Sequence, residues 1–504
     1  MPSAIDQLCS LGRETATLAS TASLLSWDQE TYMPAGAAAH RADQLALLAG
    51  LVHERRTSKS LGDLLSAAEV DLAGEHGSEA AANVREMRRD YTLATKLPTS
   101  LVSAIAKATS LAQDVWKAAR KDNDFKAFAP HLEGVLALMR EKAACYGTPT
   151  GGEPYDALLN EYEPGATAAE IEAVFTPLRA RLAALVAAIG ASKSRPSEKL
   201  LSVQGTQAQQ HAFGLAVVAA IGFDLRTGRL DTTAHPFCQE IGPGDVRLTT
   251  RYTSASFLEP LSSTLHEAGH GMYEQGLPKA ARFGQPLGEA VSLGIHESQS
   301  RMWENFVGRG KAFWTWALPV ARTHLPGLLD SATVEDAYGA ANVVRPSFIR
   351  VEADEATYNL HIMLRFGLER ALIAGRLAVK DLPGEWNQAF KDMLGLDVPD
   401  DRRGCLQDVH WSCGLVGYFP TYTLGNLYAA QLWEKINADL PNLEAGFARG
   451  DFAPLKAWLN TNIHAHGRRY RAADLCQRVT GKPLSADPLM RHLEGKLKPL
   501  YGVA

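Results

Sequence analysis

The 504-residue sequence has no long run of lysine or arginine, and its formal charge of -5 sums over interspersed signs. Without such a run there is no electrostatic footprint for nucleic acid and no polybasic anchor for an anionic membrane, so a small molecule or a peptide is the expected partner. Continuous apolar sequence is short as well: the longest stretch, around Leu182–Ile189, falls far below a bilayer span. Met1 to Asp6 carries neither the basic segment nor the apolar core of a secretory signal, which makes a cytoplasmic location the expectation. Cys9, Cys145, Cys238, Cys405, Cys413 and Cys476 are scattered with no Cys-x-x-Cys pair, the usage of reduced thiols rather than of a cysteine metal site. No repeat of fixed period is present, which argues against a solenoid.

What the chain does have is 46% hydrophobic residues, much of it at helical spacing, as near Ile105–Ala119, Ala168–Ala188 and Ala356–Leu372. Breakers stand between at Met33–Gly36, Gly147–Gly152, Glu163–Gly165 and Ile241–Gly244. The expected fold is mainly α with a small β element. Val246, Leu248, Thr250 and Tyr252 alternate with Arg247, Thr249 and Arg251 as a strand, and a helix start is expected at Ser254–Ser256. Phe257, Leu258, Leu261 and Leu265 give that helix an apolar face, and Gly276-Leu277-Pro278 gives it an end. No linker divides the chain, so one unit over 1–504 is expected, with about 1–200 a helical covering part and about 201–504 the part that carries the chemistry.

Inside that helix lies His266-Glu267-Ala268-Gly269-His270. Positions i and i+4 share a helix face, so both imidazoles reach one metal ion while Glu267 stands beside it, the arrangement of metal-assisted peptide hydrolysis. Glu267 is then the general base, taking a proton from metal-bound water and passing it to the leaving amine. A catalytic zinc site needs a third protein ligand. The segment Gly288–Glu304 is a second helix candidate, and Glu297 is the first choice because its apolar neighbours suggest a buried carboxylate in need of a cation; Glu289 and His296 are the fallback ligands. The plainer alternative is that His266 and His270 are ordinary helix-face histidines.

The motif stands in an ordered series: His235-Pro236-Phe237, Asp245-x-Arg247-x-Thr249, His266–His270, His296-Glu297-Ser298-Gln299, Ile349-Arg350-x-x-Ala353-Asp354 and Gly404-x-x-Gln407-Asp408-x-His410-Trp411. This series, with Ser26–Pro34 and Tyr155–Tyr162, resembles the carboxypeptidase Taq family, the M32 metallopeptidases, over nearly the whole chain. The resemblance implies a large helical zincin-type metallopeptidase with a deep substrate groove, assembled as a homodimer. It implies Glu297 as third ligand and zinc-dependent release of single C-terminal residues from peptides, with broad side-chain tolerance and poor release next to proline. Cobalt is expected to substitute in such a site.

An enzyme of this direction must hold the substrate carboxylate, and a guanidinium does so through its planar fork. Arg350 is the candidate, the alternative being an internal salt bridge to Glu352, Asp354 or Glu355. His410 and Tyr422 are candidate donors to the oxyanion, and Asp354 is a candidate to orient a ligand imidazole. Asp245 and Arg247 either shape the groove or pair with each other, and His235 is either packed or a substrate contact. Two other readings compete: another His-Glu-x-x-His oligopeptidase or aminopeptidase, and a non-catalytic helical peptide-binding protein.

Overall fold

The computed structural model describes residues 2–75, 77–252 and 256–504. Helices dominate, with a single three-stranded sheet among the described residues. The chain forms two compact units, each drawn from three segments: Met1–Thr95, Ser197–Ala341 and Leu432–Lys482 in the first, and Lys96–Pro196, Asn342–Gln431 and Pro483–Ala504 in the second. Each unit takes residues from both sides of position 200.

In the first unit the sheet consists of β1 (Gly228–Thr232), β2 (Cys238–Gly242) and β3 (Asp245–Thr250). The central strand β3 runs parallel to β1, with Leu230 opposite Leu248, and antiparallel to β2, from which the turn at Gly244 separates it. Gly244 has φ of 82°, a left-handed conformation that a side chain disfavours. The alternation read in the sequence holds for Val246 and Leu248, which are buried, but the strand ends at Thr250, short of Tyr252.

After the strand, Ser254 and Ala255 of the expected helix start lie outside the described residues, and the helix itself runs Leu258–Gly276. Its buried Leu261 and Leu265, with Phe257 just before it, form the anticipated apolar face. Side chains of this size each contribute about 1.5–3 kcal/mol when fully buried. Gly271 lets the helix lie close on the sheet, since a Cβ there would stand 2.7 Å from both Leu248 Cδ2 and Phe223 Cε2. At the chain's start, Trp27 on the helix Ala4–Thr31 packs against the same sheet, with the Arg247 guanidinium 4.2 Å and that of Arg229 5.1 Å from its ring. Cations over an indole face are attracted by its quadrupole.

In the second unit the helices Thr99–Asp122 and Phe125–Tyr146 pack as a hairpin, joined at Asn123 in the left-handed conformation. The helix Ala168–Ala191 is, among the described residues, the one long and apolar enough by composition to cross a membrane, with a mean hydropathy of 1.5 over its most apolar window. Its Ile171, Phe175, Leu178, Leu182, Leu185 and Ile189 recur every three or four residues and are buried, the pattern of a helix with one face in a core. The helix Tyr358–Ile373 is buried almost all round, and its polar Arg365 and Glu369 are correspondingly held by partners.

Candidate metal centre

Two helices of the first unit build the centre: Leu258–Gly276, which carries the paired histidines, and Leu293–Arg301, which starts on Ser292 with its hydroxyl accepting from Ile295 N. They meet at Gly269. A Cβ at that position would stand 2.5 Å from Gln299 O and 2.6 Å from Ser300 Cα, so only glycine permits this approach of backbone to backbone. The approach carries Glu297 to the histidine pair: its Oε2 lies 3.6 Å from His266 Nε2 and 3.5 Å from His270 Nε2. Donor atoms about 2.1 Å from one tetrahedral ion stand roughly 3.4 Å apart, so these three side chains fit a single cation. Among the described residues they form the one group of three such ligand atoms all within 4.8 Å of one another.

Carboxylates outnumber cations around these ligands. The second helix continues into a π-helical segment, Met302–Gly308, that presents Glu304. Glu304 Oε2 lies 2.9 Å from His266 Nδ1 and accepts from Arg301 Nη1 at 3.0 Å, while its Oε1 accepts from the Ser262 hydroxyl. Arg301 Nε also donates to Glu297 Oε1 at 2.7 Å, so one guanidinium holds both acids in place. Burial alone would raise Glu297, but Arg301 and His266 hold its carboxyl well below the usual range. Burial lowers His270 to about 3, with the neighbouring His296 adding to the shift, which leaves the imidazole neutral and able to ligate. Glu267, buried beside them, is pushed by burial up to about 7.

His296 and Glu289, the fallback ligands, have other partners. His296 Nδ1 stands 2.5 Å from His270 Nδ1, behind the ligand, and its Nε2 lies 2.7 Å from Glu274 Oε1. Glu274 in turn holds Lys279, which reaches Glu240 at 3.0 Å. Glu289 pairs with Arg468. Glu304, Arg301 and Glu274 were missed by sequence reasoning, although helical spacing marked them: Arg301 and Glu304 follow Glu297 by four and seven residues, and Glu274 follows His270 by four.

The remaining candidates distribute as follows. Asp245 and Arg247 pair with each other, Nε to Oδ1 at 2.8 Å and Nη2 to Oδ2 at 2.7 Å, the second of the two alternatives. His235 is exposed in the connection between β1 and β2 and is not a packed residue. Asp354 does not orient a ligand. It caps a turn of its own unit, accepting from the backbone N of Arg345, Ala356 and Thr357, because a carboxylate placed just ahead of a helix is drawn to unpaired N–H groups. The carboxylate against a ligand imidazole is that of Glu304.

In the second unit Arg350, His410 and Tyr422 belong to one cluster. Arg350 is buried and donates through Nε and Nη2 to Asp408 Oδ1 at 3.0 and 2.9 Å, and through Nη1 to the Tyr358 hydroxyl at 3.1 Å. Its salt bridge is therefore to Asp408, not to Glu352, Asp354 or Glu355. Arg365 donates to the other oxygen of Asp408 at 2.7 Å, so one carboxylate faces two guanidiniums and the trio is net positive. The Gln407 side chain accepts from Arg350 N through Oε1 at 2.9 Å and donates through Nε2 to Phe348 O at 3.1 Å, tying its segment to the backbone of the other. His410 Nε2 lies 3.3 Å from the Tyr422 hydroxyl, and burial lowers its imidazole to about 3, leaving it neutral.

Comparison with known proteins agrees with this chemistry. The family model described as carboxypeptidase Taq (M32) metallopeptidase matches residues 7–497. Thermostable carboxypeptidase 1 of Thermus thermophilus is 48% identical, with 99% of each chain covered, and carboxypeptidase 1 of Bacillus subtilis is 36% identical over 95% of each. Among solved structures, the M32 carboxypeptidase of Deinococcus radiodurans R1 superposes with a TM-score of 0.93 at 43% identity, covering 99% of both chains. The Pyrococcus furiosus carboxypeptidase gives 0.94 at 36% identity with the same coverage. The match thus extends over nearly the full length at high identity, and the chain belongs to the carboxypeptidase Taq (M32) metallopeptidase family.

Proposed function

We propose that the chain is a zinc-dependent carboxypeptidase that releases single residues from the C-terminal end of peptides, with Glu267 as general base. The observation that carries this reading is the convergence of His266 Nε2, His270 Nε2 and Glu297 Oε2 at ligand separation, with the buried Glu267 beside them. Two imidazoles and one carboxylate are a donor set suited to zinc, and cobalt fits the same geometry. The direction of cleavage is supported by the relatives, which carry the name carboxypeptidase.

A bound zinc ion supplies Lewis acidity toward the scissile carbonyl. Glu267 takes a proton from the attacking water and delivers it to the leaving amine, so that the carboxylate is restored at the end of the cycle. Glu297, held by Arg301, keeps its charge throughout. Within the second unit we assign the substrate carboxylate to Arg350, whose cluster carries excess positive charge, and hydrogen-bond donation to the oxyanion to the neutral His410 and to Tyr422. A broad choice of C-terminal residue, slow release next to proline, a homodimeric assembly and a cytoplasmic location complete the proposal.

A peptide ladder acetylated at its N-terminus and free at its C-terminus, read by mass spectrometry with and without chelator, tests it. Stepwise, chelator-sensitive loss of C-terminal residues is expected. Cleavage that requires a free N-terminus would overturn the direction, and turnover that survives metal removal would overturn the metal role.

A further inference from the structure

The two histidine ligands are backed in different ways. His266 Nδ1 meets a carboxylate directly, Glu304 Oε2 at 2.9 Å. His270 Nδ1 meets a second imidazole, His296 Nδ1 at 2.5 Å, and only beyond it a carboxylate, Glu274 Oε1, 2.7 Å from His296 Nε2. Metal-ligating imidazoles usually pass their other N–H to a carboxylate or carbonyl oxygen, and partners of this kind tune both orientation and basicity.

The order of protons along the chain follows from chemistry. His270 turns Nε2 toward Glu297 Oε2, the side on which a cation would be held, so as a neutral ligand it carries its proton on Nδ1. That N–H donates to His296 Nδ1, which must then be an acceptor. A neutral His296 therefore carries its own proton on Nε2 and donates it to Glu274. The Glu274 carboxylate is fixed by Lys279, which is buried between Glu274 and Glu240.

We propose that His296 is a positioning residue for the metal, an imidazole relay through which Glu274 and Lys279 set the tautomer and orientation of His270. The proposal rests on the reading of His266, His270 and Glu297 as metal ligands. Unlike a carboxylate placed directly on His270, the relay fixes the ring without putting a full negative charge at its Nδ1. The site thus holds one imidazole made more basic by Glu304 and one that is less so. His296 is not a fourth ligand, because its two ring nitrogens are both engaged.

The test is zinc binding to metal-stripped full-length protein, measured by competition with a chromogenic chelator. His296→Ala is expected to raise the zinc dissociation constant by roughly 10- to 100-fold and Glu274→Gln by about tenfold. His296→Asn, whose Oδ1 takes the place of the Nδ1 acceptor, is expected to restore most of the lost affinity, while the visible spectrum of its cobalt form stays close to that of the parent. Rescue by Asn separates positioning from a merely structural role, and Glu274→Gln carries the test should His296→Ala fail to fold. Zinc affinity of His296→Ala or Glu274→Gln within threefold of the parent would overturn the relay, as would equal losses in His296→Ala and His296→Asn. Failure of the parent itself to bind zinc would sink the metal assignment instead, and His266→Ala provides the reference for a lost ligand.

Discussion

The metal centre of the first unit and the arginine cluster of the second unit are both buried assemblies of charge, but of opposite excess. Around the histidine pair stand Glu297, Glu304 and Glu267 against the guanidiniums of Arg301 and, at 3.6 Å from Glu304, Arg309. Around Asp408 stand two guanidiniums against one carboxylate. Buried charges left unbalanced by their own protein cost several kcal/mol each, and the two assemblies carry that imbalance with opposite sign. The two also differ in construction. The first is local, made by two helices that cross at one glycine, whereas the second gathers residues from Arg350 to Tyr422 through a loop and relies on Gln407 and Asp408 to hold the segments together.

The sharpest break in this comparison is chemical. Glu267→Gln keeps the volume of the side chain and removes its proton acceptor, so turnover is expected to fall by roughly 10²- to 10⁴-fold, the span of general acid–base contributions. Zinc content, measured by metal analysis, is expected to be unchanged, because Glu267 is not among the three converging ligands. Unchanged kcat would remove Glu267 from the reaction. The corresponding break in the second unit is Asp408→Asn, which strips the shared carboxylate from two buried guanidiniums. Removing one partner of a buried pair costs about 3–5 kcal/mol, so the variant is expected to unfold at markedly lower denaturant while its zinc affinity stays at the parent value. Equal stability of variant and parent would show that the cluster is not held by Asp408.

A third prediction concerns pH. Glu369 is buried in the second unit and accepts from the Tyr155 hydroxyl at 2.7 Å, Trp411 Nε1 at 2.9 Å and Gly417 N at 3.1 Å, pinning the loop that carries His410. Burial nevertheless pushes its carboxyl from 4.5 up to about 7. An acid whose folded value is raised binds its proton more tightly in the native state, so this group's contribution is most favourable below about pH 4.5 and is lost as pH rises toward 7, after which it is level. The loss is of the order of 3 kcal/mol, from roughly 1.4 kcal/mol per unit. Comparing unfolding free energies across that window, the parent minus Glu369→Gln difference is expected to shrink with rising pH, and a flat difference would rule out the shift.

The helical content was legible because apolar residues recur at helical spacing between strong breakers, and the ligand pair was legible because i and i+4 on a helix are adjacent whatever the tertiary fold. Glu297 needed more than spacing. Its apolar neighbours favour it over Glu289 and the resemblance strengthens that choice, while the structure separates the two through Arg468 and the crossing at Gly269. Tertiary partners were invisible. Asp408 lies 58 residues from Arg350, and no periodicity connects them. The order of segments in the two units was equally hidden, since each is assembled from three separated stretches with no shift of composition at their borders.

Gly269 is where the local and the tertiary descriptions meet, and replacing it gives the smallest and most informative effect. Alanine in place of glycine inside a helix is favourable by about 1 kcal/mol from backbone propensity alone. Against this, the new Cβ would press on Gln299 O and Ser300 Cα, backbone atoms of a neighbouring helix that have no side-chain rotamer to yield. Overpacking of this kind costs about 1–3 kcal/mol, so the net destabilisation expected for Gly269→Ala is about 0–2 kcal/mol. The helices respond by moving apart, and the movement carries Glu297 away from the imidazoles. Zinc affinity is therefore expected to fall further than unfolding stability does, when chelator competition is set beside denaturation of the metal-stripped protein. Were stability to rise by the propensity gain with zinc affinity intact, the helix crossing would not be what sets the third ligand.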